Sequence, residues 1–223
     1  MLRQKDAGWS RSIAGLGLNV PKKLDKPVNM SFPADADPRK FQPKRLTEEI
    51  EQSPALRMVD NPNFKEKTIK TRKIAFLVAD GFNDADVAGM KKALMKEGAM
   101  VMTVAPRQGV LTGANGESLN ADASLLTAAS VLFDAVYVPD GQESVAALQS
   151  EPAVADFLNE AYDHCKPIAG NGAGVELLVS AGLDESLAAP GLILSKNAKR
   201  DSLKEKFIQA ITQHQQWDRE AKF

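Results

Sequence analysis

The rhythm of apolar and polar positions changes near residue 70. Val20–Asn63 has little helical or strand periodicity, whereas the chain beyond it alternates between two regular patterns. K-I-A-F-L-V-A-D is a continuous apolar run ended by Asp80-Gly81, as expected of a strand buried on both faces. Asp86–Glu97 then places Val87, Met90 and Leu94 on one helical face, with Gly98 positioned as a C-terminal cap. A-M-V-M-T-V-A-P predicts a second strand closed by Pro106, and residues 109–120 predict short strands around an Asn-Gly turn. D-A-V-Y-V-P-D-G predicts another buried strand. Pro152 stands where a first helical turn tolerates it, ahead of Val154, Phe157, Leu158 and Ala161. K-P-I-A-G-N-G-A-G-V-E-L-L-V-S-A-G-L reads as strand, tight turn and helix, the helix ending at Gly182. G-L-I-L-S predicts a last strand, and Asp201–Trp217 a final helix with Leu203, Phe207, Ala210, Ile211 and His214 near one face. Strands alternating with helices in this order predict an α/β fold, a doubly wound parallel sheet with helices on both faces.

The segment ahead of this domain is of another kind. Seven of the chain's 12 prolines lie between Pro21 and Pro62, which predicts an extended arm, because proline fixes φ and pushes its predecessor toward extended geometry. Residues 1–70 carry 14 Lys+Arg against nine Asp+Glu, net +5, and residues 71–223 carry 14 against 20, net −6. Trp9, Phe32, Phe41 and Phe64 favour an arm lying against an acidic surface, its own or a neighbour's, over a free linker, which gains nothing from spaced aromatics. The whole-chain charge of −1 removes the usual electrostatic case for nucleic acid. No apolar run approaches the roughly 20 residues of a membrane span. One cysteine and two histidines argue against a disulfide framework or a Cys- or His-rich metal centre. A soluble, cytoplasmic protein is expected, with neither nucleic acid nor membrane as partner.

In such a sheet ligands bind beyond the carboxyl ends of the strands, near the topological switch point. Asp80–Asp86, Asp140–Gln142 and Gly170–Gly174 are therefore the candidate loops. The third has the shape of a nucleophile elbow, a sharp strand-to-helix turn that presents one side chain to a ligand and N–H groups to an oxyanion. The residue presented here is Gly172. Asp80, Asp84, Asp86 and Asp140 admit two readings: a weak cation site, or turn chemistry in which each carboxylate satisfies backbone N–H groups. The second is preferred, because their spacing has no calcium-loop pattern.

V-A-D-G-F-N-D-A-D-V, Y-V-P-D-G and P-I-A-G-N-G-A-G together resemble the superfamily of class I amidotransferase-like and intracellular-protease-like domains, which implies a flavodoxin-like sheet. Most catalytic members carry Cys at the elbow and an acidic residue after the first strand. By that resemblance Gly172 replaces the Cys, Ala173-Gly174 match the continuation, and Asp86, before Asp84, falls where the acidic partner stands. Asn171, Gly172, Ala173, Gly174, Asp84, Asp86, Asp140 and Gly141 then form a vestigial site, with no catalytic and no metal-binding residue. A second resemblance covers nearly the whole chain. G-W-S-R-S-I-A-G-L-G-L looks like the end of the helical region of a large-subunit haem catalase, and P-V-N-M-S-F-P-A-D-A-D and S-P-A-L-R-M like the linker that follows it.

The resemblance implies residues 1–20 as the end of the catalase helical region, 21–69 as a Pro-rich extended arm, and 70–223 as the amidotransferase-like domain. It implies a parent enzyme that binds haem, converts hydrogen peroxide to water and oxygen, and forms a homotetramer. The partners would be the rest of the catalase chain and neighbouring subunits, and this region would stabilise the tetramer without catalysing. Alternatives are chaperone-like holding of unfolded client proteins and, disfavoured by Gly172, a thiol-dependent hydrolase. No cofactor is expected within the chain itself, since Tyr137 in a buried strand and Tyr162 on a helix lack the neighbours of a haem ligand. Cys165 is expected to be a packing residue at the opposite end of its strand from the elbow, His164 beside it points elsewhere on a helix, and His214 is a packed or rim residue.

Overall fold

A computed structural model describes residues 67–187, 189–196 and 200–219, which belong to one compact unit. The expected end of a helical region at 1–20, with Trp9, and nearly all of the arm at 21–69, with Phe32, Phe41 and Phe64, lie outside the described residues. Six parallel strands form the main sheet: β1 (Lys73–Leu77), β2 (Met100–Ala105), β5 (Ala123–Ser124), β6 (Ala135–Val138), β7 (Ile168–Asn171) and β8 (Leu192–Ser195). Their order is β5-β2-β1-β6-β7-β8, and β3 (Gly109–Thr112) pairs with β4 (Ser118–Ala121) in a separate antiparallel hairpin. Setting aside the two-residue β5, the order β2-β1-β6-β7-β8 is the flavodoxin-like one. The chain runs from β1 outward to β2, then returns to the other side of β1 at β6, so the switch point lies between β1 and β6.

The continuous apolar runs follow from burial on both faces. In β1, Ala75 and Leu77 join one core with Val136, Val138 and Ile168, while Ile74, Phe76 and, just after the strand, Val78 join the other with Ala135 and Tyr137. Helices α2 (Gln142–Gln149), α3 (Pro152–Asp163) and α4 (Gly174–Ser180) cover the first face through Leu148, Phe157, Leu158, Leu177 and Leu178. Helices α1 (Asp84–Lys96) and α5 (Arg200–Thr212) cover the second through Val87, Met90, Leu94, Leu203 and Phe207. The predicted doubly wound α/β sheet is thus the observed one.

Three boundaries differ from the sequence pattern. Helix α1 begins at Asp84, two residues early, because Asn83 caps it: its side-chain oxygen accepts the Asp86 N–H at 3.1 Å. Helix α2 is absent from the prediction, since Q-E-S-V-A-A-L-Q offers only Val145 and Leu148 as large apolar anchors, too few to show a helical period. Helix α5 ends at Thr212, not Trp217. His214 takes φ 68°, and the chain folds back so that the Gln216 N–H reaches the Cys165 carbonyl at 2.7 Å. His214 therefore lies beyond the helix, half-buried, with its protonated form disfavoured by that burial and next by the positive charge of Arg72.

Candidate functional site

Three loops meet beyond the carboxyl ends of β1, β6 and β7, and Asp86 ties them together. It lies in the first turn of α1, 3% exposed. Its Oδ2 accepts the Tyr137 hydroxyl at 2.9 Å and the Asp140 N–H at 2.8 Å, and its Oδ1 accepts the Asn171 side-chain amide at 2.9 Å. A carboxylate with three donors from β6, the loop after it and β7 is well satisfied in a buried setting. Tyr137 brings its hydroxyl there from a ring packed between Phe76 and Phe207, at centroid distances of 5.0 and 6.0 Å.

Asp140 occupies the elbow itself. Its Oδ1 accepts the Ala173 N–H at 2.9 Å and the Gly141 N–H at 3.0 Å, while its Oδ2 accepts the Asn83 side-chain amide at 3.3 Å. Gly172 turns the chain with φ 52°, a left-handed conformation costly to any residue with a Cβ. A Cβ at Gly172 would stand 2.3 Å from Asp140 Oδ1. The space a nucleophile would need is filled by the Asp140 carboxylate, and the N–H after the elbow is engaged by the same oxygen. Gly174 opens α4 against the end of β6 so closely that a Cβ there would lie 2.4 Å from the Val138 carbonyl oxygen. A cavity of about 710 Å³ lies next to the elbow, lined in part by Asp140, Gly172, Ala173, Glu176, Val179 and Lys196.

The four aspartates divide their work. Asp80 Oδ1 accepts the Thr112 N–H at 2.8 Å. Asp84, 4% exposed, turns away from the elbow and caps the tip of the β3–β4 hairpin through the N–H groups of Asn115 at 2.8 Å and Glu117 at 3.1 Å. Only Asp86 and Asp140 meet, through a backbone N–H. Among the described residues no group of three or more His, Cys, Asp or Glu is placed to hold a metal ion. The Asn115 N–H, and with it that of Glu117, holds the Asp84 carboxyl below the usual aspartate range. A depressed folded-state value stabilises the chain above the ordinary carboxylate range and ceases to do so as the pH falls through the lowered value. The amide resonances of Asn115 and Glu117 should therefore follow one acid titration with a midpoint below that of an ordinary aspartate. In Asp84→Asn that step should vanish; its persistence would assign it to another group.

Cys165 is 3% exposed and precedes β7, at the end away from the elbow. His164 does not serve it, since its Nδ1 bonds the Glu160 carbonyl at 2.8 Å. Tyr162 lies beneath the Arg219 guanidinium, 4.5 Å from ring centroid to Cζ, and Tyr137 is committed to Asp86. Neither tyrosine is thus presented as a haem ligand. The sequence reading named Asp86, Asp140, Asn171 and Gly172 and missed Asn83 and the hydroxyl of Tyr137. An Asn ahead of two first-turn aspartates is an N-cap signal that points to Asn83. Nothing in the sequence gives the Tyr137–Asp86 bond.

A flavodoxin-like sheet with a glycine at the strand-to-helix turn after β7, against which the Asp140 carboxylate packs, defines a domain of amidotransferase-like fold. Residues 70–221 match the family described as the C-terminal domain found in long catalases, and the chain belongs to that family. It is 37% identical over 187 residues to "Catalase HPII" of Mycobacterium avium, covering 79% of this chain and 26% of that protein. It is 32% identical over 209 residues to "Catalase-2" of Bacillus subtilis, covering 93% of this chain and 28% of that protein. The chain thus spans little more than a quarter of the length of these curated relatives. Among solved structures, a ThiJ/PfpI domain protein from Brachyspira murdochii shares the fold with a TM-score of 0.56 at 18% identity, over 64% of this chain and 97% of that one. No helix among the described residues is long and apolar enough to cross a membrane.

Proposed function

We propose that residues 70–221 are a non-catalytic module that stabilises the tetramer of a large haem catalase, an enzyme that decomposes hydrogen peroxide to water and oxygen. In this reading residues 1–20 end the catalase helical region and 21–69 form the arm between the two parts. The observation that carries it is the elbow: the Asp140 carboxylate fills the volume of a nucleophile and takes the neighbouring N–H groups. A centre rebuilt in this way contributes to folding stability and offers no attacking group. Family membership supplies the parent, and haem belongs to the parent's other part.

One observation favours a second reading, chaperone-like holding of unfolded clients. Leu126, Val131 and Leu132 are 91%, 68% and 55% exposed within one short stretch after β5. A single comparison separates the two. Full-length catalase and a form lacking residues 70–221 are assayed for tetramer content and for thermal inactivation half-life. The truncated form should lose activity faster and yield fewer tetramers, with turnover at low temperature unchanged. Equal half-lives and equal tetramer content would overturn the stabilising role. If the isolated chain then suppresses aggregation of a heat-denaturing client, the holding activity takes its place.

A further inference from the structure

The Asp140 carboxylate is held as a bound ligand would be. Its donors come from three separate segments: Asn83 from the loop after β1, Gly141 from the loop after β6, and Ala173 from the turn after β7. Each segment is fixed by bonds that do not involve the carboxylate. The Asn83 N–H bonds the Asp140 carbonyl at 2.8 Å, the Gly172 N–H bonds the Ser195 carbonyl at 2.8 Å, and Asp86 holds both the Asp140 N–H and the Asn171 side chain. The segments that carry Asn83 and Ala173 are therefore held in place by bonds that do not use the Asp140 carboxylate.

Their arrangement is selective. Two N–H groups address one oxygen and a side-chain amide the other, the pattern of a planar, two-oxygen anion. Hydrogen bonds to an ionised acceptor are about twice as strong as neutral ones, so the preference is for a carboxylate over a neutral amide. A path exists as well, because the 710 Å³ cavity is lined by Asp140, Gly172 and Ala173 themselves, with Lys196 on its wall.

We propose that the N–H groups of Ala173 and Gly141 and the side-chain amide of Asn83 form a carboxylate-binding site that the chain closes with its own Asp140. Removing that side chain opens the site to small free carboxylates arriving from the cavity. Once Cβ is removed as well, as in Asp140→Gly, formate can turn its hydrogen toward the vacated Cβ position, whereas the methyl group of acetate would collide with the Cα of residue 140. In the wild-type chain the tether keeps the group at high effective concentration, so solutes do not compete.

The test uses the full 223-residue chain and formate as probe. Thermal midpoints of the wild type, Asp140→Gly and Asp140→Asn are measured against rising sodium formate, with sodium chloride holding ionic strength constant. Asp140→Gly should melt below the wild type, and its midpoint should climb with the logarithm of formate concentration once the site begins to fill. Acetate, which is too long for the vacated space, should raise it less. The wild type, filled by Asp140, and Asp140→Asn, filled by its own amide, should not respond to either. A purely structural aspartate predicts a destabilised Asp140→Gly that formate cannot rescue. That result, or an equal response of all three proteins, would overturn the proposal. If Asp140→Gly does not fold in chloride, its refolded yield in formate is read instead, and no gain there counts against the site.

Discussion

Replacing Asp86 with Ala should lower the stability of the chain by about 3–5 kcal/mol, the cost of withdrawing the shared acceptor from three hydrogen-bond donors. The carboxylate is 3% exposed and accepts from the Tyr137 hydroxyl, the Asp140 N–H and the Asn171 amide. Alanine leaves those donors without their acceptor, at about 1–3 kcal/mol for each one left dry. It also frees the ends of β6 and β7 from α1, so the elbow loses its alignment together with its hydrogen bonds. For a domain of this size the thermal midpoint should fall by about 10 °C or more. Asp86→Asn keeps the volume and one acceptor oxygen and should fall between the two. Tyr137→Phe, which removes one of the donors and leaves the acceptor with the others, should cost about 1 kcal/mol. Urea unfolding reads all three. An Asp86→Ala variant within 1 kcal/mol of the wild type would show that Asp86 does not hold the three loops together.

The same network shows where the sequence speaks and where it stops. The strands are legible because burial on both faces writes unbroken apolar runs, as in β1, where alternate residues enter opposite cores. Helices α1 and α3 are legible because each repeats its apolar face and carries a local terminal signal, Gly98 after α1 and Pro152 opening α3. Helix α2 is too short to repeat, and α5 stops where a tertiary contact, the Gln216 N–H to the Cys165 carbonyl, draws the chain away. The site divides in the same way. The loops follow from topology, and Gly172 stands out because a turn of that shape favours glycine. That Asp140 fills the elbow is a long-range fact, joining residues separated by more than 30 positions. Asp84 and Asp86 differ by two positions on one helix and therefore face different neighbours, the hairpin tip and the elbow, a distinction only the folded chain makes.

Installing a thiol at the elbow should damage this protein without activating it. Gly172→Cys and Gly172→Ala should each cost about 3–8 kcal/mol, from two sources. A left-handed φ with a Cβ costs about 1–2 kcal/mol. The new Cβ, 2.3 Å from Asp140 Oδ1, also expels the carboxylate and leaves the N–H groups of Ala173 and Gly141 without their acceptor, at about 1–3 kcal/mol each. The two sources separate in a double-mutant cycle. In an Asp140→Gly background the elbow is already empty, so Gly172→Ala should there cost only the backbone share, about 1–2 kcal/mol. A penalty of equal size in both backgrounds would place the whole effect in the backbone and remove Asp140 from the account of the elbow. The cycle also bears on what this turn can accommodate. With Asp140 in place, a cysteine at 172 has neither room for its Cβ nor a free N–H beside it. A thiol could therefore be seated at this turn only by removing the aspartate first, at the cost of the bonds that now hold three loops together.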